Sequence, residues 1–132
     1  MVDFRRLQDL AGVKILVVDD EPDACEMLLH LFRLSGAEVQ IAMSAEEALN
    51  ICDTFSPDVL ISDIGMPNVD GYELIRRIRR SGKTQLPAVA LTALTRIEDR
   101  VKAIAAGFQM HVAKPVEPAE LLAVVSSLAG RT

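Results

Sequence analysis

The chain has no tryptophan and a single tyrosine among its 132 residues. Whatever core it builds must be aliphatic. Cysteine is scarce too, limited to Cys25 and Cys52, which lie far apart and both within helical patterns. A disulfide framework or a zinc site needs closer, paired spacing. Both are read as free thiols, and a reducing cytoplasm is the expected location. No apolar run approaches the roughly 18 residues that a membrane span needs. The opening Met1-Val2-Asp3-Phe4-Arg5-Arg6 lacks the apolar segment of a secretory signal. Positive charge is also short: the net charge is −5, which argues against direct nucleic-acid binding.

What is present is a soluble-domain balance, half hydrophobic and a quarter charged, in a length that suits one domain. Residues 1–12 read as a lead-in segment, and residues 13–129 as the folded unit. Short apolar runs alternate with helical periodicity five times. Strands are expected at 13–18, 37–42, 87–91 and 110–113, and the apolar run 59–61 reads as a further strand with Asp63 placed as it ends. Pro22 suits a first helical turn, and Met27, Leu28, Leu31 and Phe32 continue at helical spacing up to Ser35-Gly36. Ser44 and Glu47 have the capping-box form for a second helix. Asp70 caps a short helix that carries Leu74, Ile75 and Ile78 inward. Thr95 and Glu98 repeat the capping-box spacing before a helix ending near Gly107, and Pro118 opens the last one. This alternation predicts an α/β fold: a doubly wound five-stranded parallel sheet with helices on both faces.

Four strands end in polar residues: Asp19-Asp20, Asp63, Thr92 and Lys114. Right-handed crossovers keep the strands parallel, so these ends face one way. In the flavodoxin-like strand order 2-1-3-4-5 the first and third strands are neighbours at the switch point. Asp19, Asp20 and Asp63 then share a pocket flanked by Thr92 and Lys114. Three crowded carboxylates repel unless a cation sits among them. Their hard oxygens favour Mg2+, or the similar Mn2+. Lys114 adds a mobile ammonium and Thr92 a hydroxyl donor. Such a set suits charge developing on a phosphoryl group, with Asp63 as its acceptor, since an aspartate can carry a phosphoryl group as an acyl phosphate.

At these residues the chain resembles the receiver domain of bacterial response regulators, over roughly residues 13–129. The motifs that carry the likeness are Val17-Val18-Asp19-Asp20-Glu21, Ser62-Asp63-Ile64-Gly65-Met66-Pro67, Leu91-Thr92-Ala93 and Lys114-Pro115. The resemblance implies phosphoryl transfer to Asp63 from a histidine kinase or a histidine phosphotransfer domain. It implies a metal held by Asp20, Asp63 and the Gly65 carbonyl, with Asp19 acting mainly through water. It implies Thr92 and Lys114 on the phosphoryl oxygens, and a cis Lys114–Pro115 bond. It further implies a switch, not a classical enzyme, that assists its own metal-dependent phosphorylation and dephosphorylation. His111 stands where receivers usually carry Tyr or Phe as a switch residue paired with Thr92. Gly65 and Leu94 occupy positions whose side chains affect water access to the phosphoryl group. With no output domain after Thr132, the expected effect is through partner binding or phosphorelay. The likeness extends to receivers at the C-terminal end of hybrid sensor kinases.

Other readings fit less well. A haloacid-dehalogenase phosphatase wants Asp-x-Asp on its first strand and a cap insertion. A flavin binder wants a hydroxyl-rich phosphate loop where Asp19-Asp20-Glu21 would repel it. A receiver kept only for docking would not need all five polar residues. Asp19 and Asp20 as a mere acidic helix start leave Asp63 and Lys114 unexplained. Arg76, Arg77, Arg79 and Arg80 read as a solvated helix face, with a surface for an acidic partner as the alternative.

Overall fold

The computed structural model describes residues 10–93 and 96–131. Its strands are β1 (Lys14–Val18), β2 (Glu38–Ala42), β3 (Val59–Asp63), β4 (Ala88–Thr92) and β5 (Met110–Ala113). Between and after them run α1 (Pro22–Leu34), α2 (Ala45–Phe55), α3 (Gly71–Arg80), α4 (Ile97–Ala106) and α5 (Pro118–Leu128). All pairings are parallel and the order is β2-β1-β3-β4-β5. Class, order and direction are those expected from the alternation of periods.

Burial explains the strand sequences. Every residue of β3 and β4 is buried, so both are apolar along most of their length, as central parallel strands are, and turn polar only at their carboxyl ends, Ser62-Asp63 and Thr92. Edge strand β2 has water beside it and alternates instead, with Glu38 and Gln40 exposed. Successive side chains point to opposite faces, and the core divides accordingly. Leu16, Val18, Leu60 and Ala90 pack with α2, α3 and Phe108 on one face. Ile15, Val17, Ile61 and Leu91 pack with Leu28 and Phe32 of α1 and Leu121 and Val125 of α5 on the other. Among the described residues the sealed phenyl rings are few, Phe32 in one layer and Phe108 in the other, and aliphatic side chains fill most of both. Cys25 and Cys52 are both buried and free.

The helix starts follow their caps. Pro22 stands in the first turn of α1. Ser44 accepts from the Glu47 N–H at 3.2 Å, and Asp70 from the Glu73 N–H at 2.9 Å. At α4 the expectation is corrected. The residue that reaches back is Asp99, whose carboxylate accepts from the Arg96 N–H at 3.3 Å. Glu98 lies beside the Arg96 guanidinium instead, at 3.7 Å. The helix begins one residue later than Thr95 and Glu98 would set it, because a capping return reaches only three residues back. Thr95 and Leu94 lie outside the described residues. The lead-in also reaches the core at its end: Leu10 is buried, and its N–H donates to the Ser35 carbonyl at 3.0 Å.

Candidate functional site

Register assembles the site. Val18 of β1 lies opposite Ser62 of β3, so the next residues, Asp19 and Asp63, emerge side by side at the carboxyl edge of the sheet. Asp63 is opposite Leu91 in β4, and Thr92 opposite Ala113 in β5. The Lys114 N–H then donates to the Thr92 carbonyl at 2.9 Å, which fixes where the lysine leaves the sheet. The Lys114–Pro115 bond is cis. Asp20, Glu21, Asp63, Gly65, Thr92 and Lys114 line one cleft of about 350 Å3.

Within it, the carboxylates of Asp19, Asp20 and Asp63 each bring one oxygen to within 4.8 Å of the others. Asp19 is sealed, Asp63 is nearly so, and Asp20 is exposed. Asp19 Oδ1 accepts from the Glu21 N–H at 2.9 Å. Its Oδ2 is buried without any hydrogen bond, which is costly for a charged oxygen. Lys114 Nζ sits 3.0 Å from Asp63 Oδ1 and 3.7 Å from Asp19 Oδ2.

Two titrations respond to this crowding. Burial holds the Asp19 carboxyl above its ordinary range; the Glu21 N–H and Lys114 oppose the rise, and Asp63 and Asp20 add to it. Burial works against the Lys114 ammonium, yet its hydrogen bond to Asp63 and the charges of Asp19, Asp63 and Glu21 raise its pKa. Two carboxylates meet Lys114 on one side and an exposed third faces the cleft. An all-oxygen set with an orphaned buried oxygen fits a small hard divalent cation such as Mg2+ or Mn2+.

All six expected site positions, Asp19, Asp20, Asp63, Gly65, Thr92 and Lys114, converge here. A Cβ on Gly65 would have nothing within 4 Å, so a side chain there would stand in open space at the cleft. His111 does not line the cleft. It lies half-buried on β5, opposite Ala90 of β4.

Three supporting residues went unread in the sequence. The backbone of Glu21 anchors Asp19. The buried Cys25 thiol donates to the Asp19 carbonyl at 3.2 Å; burial first and Asp19 next push its pKa up to about 11. Gly71 opens α3 directly against the end of β3, where a Cβ would lie 2.5 Å from the Asp63 carbonyl oxygen and 2.9 Å from Ile64 Cα. Only the first had a sequence signal, as the third acidic residue after β1. The other two depend on distances across the fold.

The arginine run is corrected in one member. Arg76, Arg77 and Arg80 are exposed, and the latter two lie beside Glu73 at 3.5 and 3.1 Å. Arg79 turns inward and is half-buried, with four hydrogen bonds. Its spacing put it on the inner flank of a helix whose neighbour offers free carbonyls.

Comparison with known proteins agrees with this geometry. Residues 15–126 match the family described as the response regulator receiver domain. An "uncharacterized 14.6 kDa protein in sodA1 3'region" of Leptolyngbya boryana is 46% identical over 120 residues, covering 90% of this chain and 92% of that protein. The transcriptional regulatory protein TrcR of Mycobacterium tuberculosis is 35% identical, covering 94% of this chain and 48% of its own length. This chain thus spans about half of that regulator. A putative response regulator from Chloroflexus aurantiacus superposes with a TM-score of 0.85 at 38% identity, over 91% of this chain and 99% of that one. The signal receiver domain of a histidine kinase from Syntrophus aciditrophicus superposes with a TM-score of 0.83 at 29% identity, over 90% and 91%. The chain belongs to the response-regulator receiver domain family.

Proposed function

We propose that the chain is a phosphoacceptor signalling switch. It takes a phosphoryl group onto Asp63 from a histidine kinase or a histidine phosphotransfer domain, and signals through partner binding or phosphorelay. The observation that supports this best is the 3.0 Å contact of Lys114 Nζ with Asp63 Oδ1, beside two further carboxylates. Asp63 Oδ1 or Oδ2 attacks phosphorus, and the bond from phosphorus to the donor's histidine nitrogen breaks. Lys114 moves from the carboxylate to a phosphoryl oxygen, and the Thr92 hydroxyl donates to another. Asp20, Asp63 and the Gly65 carbonyl would hold Mg2+ or Mn2+, with Asp19 acting mainly through water. When bound, that ion neutralises the carboxylates and screens the incoming phosphoryl charge. His111 is the proposed switch partner of Thr92, one position along β5 from Thr92's neighbour Ala113 being Val112 and the next being His111.

Acetyl phosphate supplies the test. With Mg2+ present, intact mass should rise by one phosphoryl group, and Asp63→Asn should abolish the gain. Asp20→Asn should weaken Mg2+ binding more than Asp19→Asn does. Full labelling of the Asp63→Asn protein on another aspartate would sink the assignment.

A further inference from the structure

The end of α4 carries no positive charge of its own: no basic residue stands in its last turn. Such a terminus concentrates partial negative charge on unpaired carbonyls. α3 supplies the missing cation. Arg79 donates to the Gly107 carbonyl from Nη2 at 2.7 Å and from Nε at 3.2 Å. Its Nη1 donates to the Lys83 carbonyl at 2.8 Å, and Nη2 also reaches Gln109 Oε1 at 3.2 Å. That amide oxygen in turn accepts from the Ala88 N–H at 2.7 Å, while the Gln109 N–H donates to the Ala88 carbonyl at 3.0 Å. One guanidinium thereby joins the ends of α3 and α4 to the starts of β4 and β5. Gly107 makes room for it, since a Cβ there would lie 3.1 Å from Arg79 Cγ and 3.3 Å from Nε.

The front of α4 is built differently. None of its first six residues is buried. Among these, Ile97 and Val101 are 76% and 60% exposed. Its buried side chains, Ala103 and Ala106, both belong to the rear half. Few buried apolar contacts are what low local stability means physically.

We propose that Arg79 is a cross-helix cap that pins the rear of α4 to α3 and the sheet, leaving the front as the end that moves. The device confines any displacement of α4 to a swing about Gly107. The proposal does not depend on the phosphoacceptor reading, because it is tested without a phosphodonor.

Amide hydrogen exchange on the whole chain reads both halves. In the parent protein the amides of Ala105, Ala106, Gly107 and Phe108 should exchange at least tenfold more slowly than those of Val101 and Lys102. Arg79→Gln should speed the rear amides at least tenfold, while those of α1 and α5 change less than threefold. Arg79→Lys keeps the charge but loses the planar fork, so its rear amides should fall between the two. Uniform protection along the parent helix would overturn the proposal. So would rear amides indifferent to Arg79→Gln, or α1 and α5 accelerated as much as the rear. Should Arg79→Gln not fold, the parent gradient and Arg79→Lys decide alone.

Discussion

Asp19 is the residue where folding and chemistry conflict most directly. Its Oδ2 is buried with no hydrogen bond, beside two other carboxylates. With its folded-state pKa above the ordinary 3.8, the native chain binds a proton more readily than the unfolded one in the interval between the two. Stability of the metal-free protein should therefore fall as pH rises through that interval, opposite to the usual carboxylate behaviour. Asp19→Asn replaces the orphaned acceptor with an amide that can donate to a neighbouring carboxylate. The metal-free variant should be more stable at pH 7, by about 1 kcal/mol on the scale of one unsatisfied buried group. Urea unfolding at pH 5 and pH 7 checks this, and a variant less stable than its parent at both values contradicts it. The identity of these polar residues was legible because strand ends announce themselves in sequence. The orphaned oxygen was not, since it depends on which of two oxygens the Glu21 N–H takes.

Among the elements, α3 sets the geometry of the acceptor strand most closely. Its first residue, Gly71, rests against the Asp63 carbonyl, and Asp70 caps the helix. Gly71→Ala would force the helix and the strand end apart. Overpacking of this kind costs about 1–3 kcal/mol, and here it should also slow phosphoryl uptake by moving Asp63 relative to Lys114. Urea midpoints and rates of mass gain with acetyl phosphate measure the two effects. A stable variant with the parent rate would show that the approach is not needed. The five strands and five helices of the described residues could be read from periodicity and caps. The exceptions share a cause. The start of α4 is set by Asp99 and not Glu98, and Arg79 left its solvated neighbours for the end of α4. In each, a competition between nearly equivalent residues was decided by contacts that local spacing does not contain.

At the scale of the molecule, the sheet divides the chain into two cores and leaves the acidic cleft along one rim. A cation bound only by the folded state should stabilise all of it together, by about 2.7 kcal/mol at a concentration one hundred times its Kd. Thermal unfolding with and without Mg2+ should show that gain in the parent protein and its near loss in Asp20→Asn. Equal shifts in both would place the ion elsewhere. Among the described residues, no helix is long and apolar enough to cross a membrane. The strand order has a consequence for synthesis on the ribosome. All three carboxylates lie in the first half of the chain, whereas Lys114 follows the last strand to join the edge. A nascent chain that has emerged only through β3 would, once β1 and β3 pair, bring the three carboxylates together without their ammonium counterweight. If the cluster takes up a divalent ion as proposed, metal availability during that interval should bear on how smoothly the newborn chain closes its sheet.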